Sequence, residues 1–118
     1  MTGYRSGKWA EFLACLYLRF HGYRIVARNI IVGRGTTAGE IDIIAVKHRC
    51  LVFAEVKKRR SLAEAAYAVS FRQQRRLIRG AAVFVGHHPQ YKNYDLRFDA
   101  VLVKLPFSVV HLRNAWSA

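Results

Sequence analysis

Residues 39–58 read GEIDIIAVKHRCLVFAEVKK, two apolar runs meeting at His48-Arg49. Each run alternates with a period of two, which predicts a pair of antiparallel strands with one face in a core. If His48 and Arg49 form the turn, Lys47 pairs with Cys50; a four-residue turn from Lys47 to Cys50 gives the same register. Asp42 then lies opposite Glu55 and Glu40 opposite Lys57, with facing Cβ atoms about 4.5–5.5 Å apart. The other face carries Ile41, Ile43, Ala54 and Val56. Three of the chain's seven acidic residues therefore gather on one face of one hairpin. Facing carboxylates repel, and burial raises the cost of their charge.

Two readings of that patch compete. A Glu40–Lys57 ion pair on a solvated sheet face, with Asp42 and Glu55 beside it, would be ordinary surface. A divalent cation would remove the repulsion instead, and hard oxygen ligands at this spacing suit Mg²⁺ or Mn²⁺, completed by water and a substrate phosphate. A neighbouring lysine then orients water or steadies developing charge on phosphorus. The overall charge favours the second reading. Twenty Lys and Arg against seven Asp and Glu leave a formal net charge of +13, and fourteen of the cations are Arg. Nucleic acid is the expected partner, ahead of an anionic membrane surface.

The remaining composition sets the frame. A chain of 118 residues, 53% hydrophobic with two prolines, predicts one folded domain over 1–118. Cys15 and Cys50 stand alone in apolar surroundings, as core thiols do. No apolar run nears the ~18 residues of a membrane span, and the first residues lack a secretory pattern, so a cytoplasmic protein is expected.

Along the chain, Trp9, Phe12, Leu13, Leu16, Tyr17 and Phe20 recur at helical spacing. This predicts a helix over 7–20, capped by Ser6 and ended at Gly22, with that stripe inward and Glu11 off it. Residues 23–29 form a strand, and IIVGRGTTAG a strand end and loop. Its glycines precede no Walker lysine or dinucleotide fingerprint, which excludes a nucleotide-binding loop. After the hairpin, SLAEAAYAVS is helix-permissive. SFRQQRRLIRGAAVFVGHH predicts a basic amphipathic helix ending near Gly86, with Leu77, Ile78, Ala81, Ala82 and Val85 inward and Arg72, Arg75, Arg76 and Arg79 outward. HHPQYKNYD is loop, and LRFDAVLVKL and FSVVHL are strands broken at Pro106. Asp99 reads as structural, and His87 and His88 as loop residues. The order αβββαββ predicts an α/β fold on a mixed sheet.

GEIDIIA followed by LVFAEVKKRR resembles the metal site of the PD-(D/E)xK nuclease superfamily. With GKWAEFLACLYLRFHGYRIVARN, SFRQQRRLI and RFDAVLV around it, most of the chain is similar to the small bacterial YraN-like family, which is grouped with Holliday-junction-resolvase-like endonucleases. The resemblance implies a restriction-endonuclease-like core, a mixed sheet flanked by helices. It makes Asp42 and Glu55 metal ligands, Lys57 the catalytic lysine, and Glu11 an acidic residue that helps hold metal directly or through water. Glu40 matches the acid of the Gly-Glu-hydrophobic-Asp run and would orient Lys57. Where this family usually carries a lysine in the second helix, the chain has Gln73, which keeps a phosphate or water contact without charge.

The expectation is a Mg²⁺- or Mn²⁺-dependent endonuclease acting on DNA phosphodiesters, including branched or damaged structures. Lys58, Arg59 and Arg60 beside the site, and Arg72, Gln73, Arg75, Arg76 and Arg79 on the second helix, would bind the nucleic acid backbone. A non-catalytic nucleic-acid-binding module of the same fold, and a nuclease subunit active only with a partner, stand as alternatives. No membrane partner is expected, and a homodimer is compatible with the sequence.

Overall fold

A computed structural model describes residues 3–32, 39–59, 69–104 and 106–116. Helix α1 (Gly3–Phe20) leads into strands β1 (Arg24–Val32), β2 (Gly39–Lys47) and β3 (Cys50–Lys58). Helix α2 (Phe71–Gly86) and a 3₁₀ turn at Pro89–Tyr91 follow, then β4 (Asp95–Lys104) and β5 (Ser108–Trp116). The strands lie in sequence order in one five-stranded sheet. Among the described strands only β3 and β4 run parallel, with α2 between them in the chain; the other neighbours are antiparallel. This is the mixed α/β sheet expected, with its elements in the order αβββαββ. Arg60 and residues 61–68 of the helix-permissive segment lie outside the described residues, as do residues 33–38.

The hairpin register is the one the alternation predicts. Lys47 pairs with Cys50 across a two-residue turn, and both His48 (φ 50°) and Arg49 (φ 58°) take the left-handed conformation that matches strand twist. Gly22 (φ 88°) ends α1, where a left-handed residue lets Tyr23 N–H reach back to the Leu18 carbonyl. Helix α1 begins at Gly3, so Ser6 sits inside it rather than capping it.

Each helix covers one face of the sheet. Under α2, Leu77, Ala81 and Phe84 pack on Ile44, Leu51, Phe53 and Phe98. Under α1, Ala10, Ala14, Cys15 and Leu18 pack on Ile43, Ala45, Val52, Ala54 and Val101. The inward stripe of α1 differs from the one predicted from its large residues. Phe12 is 45% exposed, Trp9 39% and Phe20 86%, while Ala10 and Ala14 are buried. Small side chains let the helix backbone lie close to the sheet, and the bulky rings stay outside. The rotation also brings Glu11 from the expected outer side to the sheet. On α2, Ala82 is exposed and Gly80 takes the inward place, against Val32 and Ile41.

The sheet turns over at one point. Arg28, which meets Cys15 of α1, pairs with Ile43, also on the α1 face. Two residues on, Ile30 pairs with Ile41, and both pack on the α2 side. Residues two apart in a regular strand share a face, so both strands switch faces between these pairs, at Asn29 and Asp42. Asn29 has φ 51°, a left-handed conformation that asparagine tolerates. Ile41 therefore leaves the face expected for it. Pairing of β2 with β3 ends at Ile43–Ala54, next to this point.

At the other end of the core, Asp99 is fully buried. Its oxygens accept from Arg97 Nε (2.9 Å) and Nη2 (2.8 Å), from Asn114 N (2.9 Å), and contact His111 Nε2 (2.6 Å). Tyr23 Oη accepts a second bond from Arg97. Burial pushes the Asp99 carboxyl up, but these donors outweigh it and hold it below the ordinary range. Asn114 (φ 52°) lies where the β4–β5 register shifts, so Asp99 serves as the anchor of the irregular edge strand and is structural, as expected.

Candidate active site

Where β2 parts from β3, the Asp42 side chain takes over a ladder position: its Oδ2 accepts the Val56 N–H at 2.9 Å. An inner strand would otherwise leave that N–H unpaired. The bond holds Asp42 in the fork of the hairpin, with Glu55 beside it. The Asp42 carboxyl is pushed up to about 7, first by burial and next by the Glu55 charge. A hydrogen bond shared with Glu55 and the more distant Glu11 add to the rise, while the Val56 N–H opposes it. Two carboxylates this close hold a proton between them unless a cation replaces it.

The pair opens into a cleft of about 170 Å³, lined by Glu40, Asp42, Glu55, Gln73, Arg76 and Leu77. Strands β2 and β3 supply the acids; the first turns of α2 supply the rest. Arg76 is not simply an outward cation. Its guanidinium lies over Gly39 (φ 80°), where a Cβ would come within 2.8 Å of Nη2. The glycine is required both by its backbone and by this close approach. Gln73 belongs to the capping box of α2: its backbone N–H donates to Ser70 Oγ (3.2 Å), and its Oε1 accepts from Ser70 N (3.1 Å). With that oxygen engaged, the carboxamide N–H groups are left for the cleft.

The expected site residues do not all fall together. Asp42, Glu55 and Glu40 converge as predicted, and Gln73 and Arg76 join them. Lys57 stands next to the pair, with Nζ 3.5 Å from Glu55 Oε2. It does not pair with Glu40 among the described residues, because the ladder that would oppose them stops at Ile43–Ala54. Glu11 lies on the α1 side of the turnover point, where its Oε1 accepts from Asn29 Nδ2 at 2.8 Å; it does not line the cleft. Lys58 is exposed, and Arg59 continues the parallel pairing by donating N–H to the Val103 carbonyl. Arg72, Arg75 and Arg79 lie on the outer face of α2, exposed. Arg60 lies outside the described residues.

Sequence reasoning missed Asn29. A lone carboxamide among the apolar residues of RIVARNIIV was the available signal, since Asn is uncommon within strands and tolerant of left-handed backbone.

A divalent ion fits the donor set in a particular way. Among the described residues no three His, Cys, Asp or Glu side chains gather closely enough to hold a metal. Two touching carboxylates in a cleft do suit an ion that keeps several waters and takes its remaining ligands from phosphate, as Mg²⁺ does; they do not suit a closed zinc site.

Fold and cleft together define a small α/β protein with a two-carboxylate site in the fork of its central hairpin. The chain belongs to the UPF0102 family, described as an uncharacterised protein family, whose model matches residues 10–103. A UPF0102 protein of Parvibaculum lavamentivorans is 46% identical over 98% of this chain and 84% of its own length. One from Nitrobacter winogradskyi is 42% identical over all of this chain and 97% of its own. The matched stretch contains β1 to β3 and α2, and with them every residue of the cleft.

Proposed function

We propose that this protein is a metal-dependent endonuclease that hydrolyses DNA phosphodiester bonds in the cleft at Asp42 and Glu55. One observation carries the reading: a chain of net charge +13 holds two carboxylates against each other in an open cleft, with Asp42 displaced to about 7. Asp42 and Glu55 are the residues that would hold Mg²⁺ or Mn²⁺. When bound, such an ion supplies Lewis-acid polarisation of the phosphoryl group and lowers the pKa of water.

The chain's own groups account for the rest. Arg76, held over Gly39, presents a fixed guanidinium to a phosphate entering the cleft. The Gln73 carboxamide donates at the same wall. Lys57, kept beside Glu55, orients the attacking water and offsets the charge that develops on the phosphoryl oxygens. Water adds to phosphorus, one P–O ester bond breaks, and the leaving oxygen takes a proton. Glu40 lines the cleft as a further proton or water contact. Glu11 works at one remove, through Asn29 and the turnover point rather than as a ligand. The outer cations Lys58, Arg59, Arg72, Arg75 and Arg79 supply sequence-independent grip on the backbone.

The test is cleavage of labelled duplex, single-stranded and four-way-junction DNA with Mg²⁺, Mn²⁺ or EDTA. Metal-dependent cutting by the native protein that falls at least about 100-fold in Asp42→Asn and in Lys57→Ala is the expected result. Absence of cutting under all conditions, with salt-sensitive binding retained, would instead select a non-catalytic nucleic-acid-binding module. Gln73 is the observation that favours this second reading, because the position carries no charge and half of its side chain serves the helix cap.

A further inference from the structure

Both helices start at the same end of the molecule as the cleft. The α2 start lines it through Gln73 and Arg76. The α1 start is tied to the β4–β5 turn, which follows the end of β4, by a bond from Trp9 Nε1 to the Pro106 carbonyl at 2.9 Å. Because β4 runs parallel to β3 with Lys57 opposite Leu102, that turn lies at the Lys57 end of the sheet. Neither helix has an acidic residue in its first turn.

Among the described residues, this end also carries most of the large aromatic rings left in solvent. Phe71 opens α2 and is 74% exposed, with the Arg75 guanidinium 5.9 Å from its ring centre. Beyond the sheet, Trp9 stacks on Phe12 at 5.6 Å and meets Phe107 edge-on at 6.3 Å. Phe107 is 72% exposed. Rings left in water cost hydrophobic free energy, and these are held in fixed orientations by a hydrogen bond, by ring stacking or by a cation. Arg72 and Arg75 follow Phe71 on α2, and Lys58 and Lys104 end the parallel strands β3 and β4 at this same end. Cations interleaved with exposed aromatic faces match nucleic acid whose bases are unpaired, since phosphates meet the cations and bases stack on the rings. A double helix keeps its base faces covered and cannot use the rings. An apolar protein partner would have to desolvate these cations without pairing them.

We infer that the substrate is nucleic acid with unpaired bases beside the cleft, stacked on Phe71 on one side and on the Trp9–Phe12–Phe107 cluster on the other. This rests on the nuclease reading for the cleft itself, but the stacking surface is separable from it.

The experiment is binding of fluorescently labelled single-stranded and blunt duplex DNA to the full chain in EDTA at fixed salt, followed by anisotropy. Phe71→Ala and Phe107→Ala should each weaken single-strand binding about fivefold or more and leave duplex binding within about twofold. Phe71→Tyr and Phe107→Tyr, which keep the rings, should restore it. Single strands, not duplex, should quench tryptophan emission, and the quench should vanish in Trp9→Phe. Equal loss on both DNAs, no loss on either, or no quench would overturn this inference and leave the cleft reading standing. Failure to bind any DNA would overturn both.

Discussion

Asp42 combines two tasks that conflict in the absence of a cation. As a hydrogen-bond acceptor for Val56 N–H it is needed in the fork; as a charge beside Glu55 it is unfavourable. Its folded value of about 7 exceeds the ordinary carboxylate value near 4, so the folded state holds the proton more tightly. The contribution of Asp42 to stability is therefore full below pH 4 and falls as pH rises to 7, by at most about 4 kcal/mol. Asp42→Asn keeps an acceptor and loses the charge. Thermal melts in EDTA should show native protein and variant alike at pH 4, and the variant more stable at pH 8 by about 1–3 kcal/mol. Mg²⁺ at pH 8 should raise the native melting temperature and leave the variant unchanged. An identical pH dependence for the two proteins would refute the assignment. Gly39→Ala meets both a strained φ and the Arg76 guanidinium, and should cost about 1–3 kcal/mol in urea unfolding. It should also weaken DNA binding, since Arg76 must move.

At the scale of the element, the hairpin was legible and the first helix was not. Period-two alternation and the His48-Arg49 break specify the β2–β3 register without reference to any other part of the chain. The face that α1 buries depends on how closely it approaches the sheet, and helical spacing alone allowed the large rings to be taken as the core side. Ala10 and Ala14 decide it. Ala14→Leu should therefore overpack the α1 interface and cost about 1–3 kcal/mol, whereas Phe12→Ser should shift stability by no more than about 0.5 kcal/mol. The reverse order in chemical denaturation would restore the spacing-based face. The consequence reaches the site, because the same rotation carries Glu11 to Asn29, where its charge adds to the rise in the Asp42 pKa.

For the molecule as a whole, two strand carboxylates stand at opposite ends of the electrostatic range. Asp99 is fully buried yet held below the ordinary value by Arg97, His111 and Asn114, so its stabilising contribution is present above pH 4 and lost only at lower pH. Arg97→Met would leave that charge without its guanidinium partner and should cost about 3 kcal/mol, read from urea unfolding at pH 7. A cost under about 1 kcal/mol would show that His111 and Asn114 suffice. Asp99 is fixed by donors; Asp42 faces another acid. The alternation and turn chemistry of residues 39–58, the order αβββαββ and the concentration of scarce acids on one hairpin were determined by sequence alone, because they rest on local geometry. Tertiary structure decided that the β2–β3 ladder stops at Ile43–Ala54, that Lys57 turns to Glu55 instead of Glu40, and that Trp9 and Phe12 face water. Each of these depends on how closely a helix packs or where a sheet twists, and neighbours in sequence do not encode that.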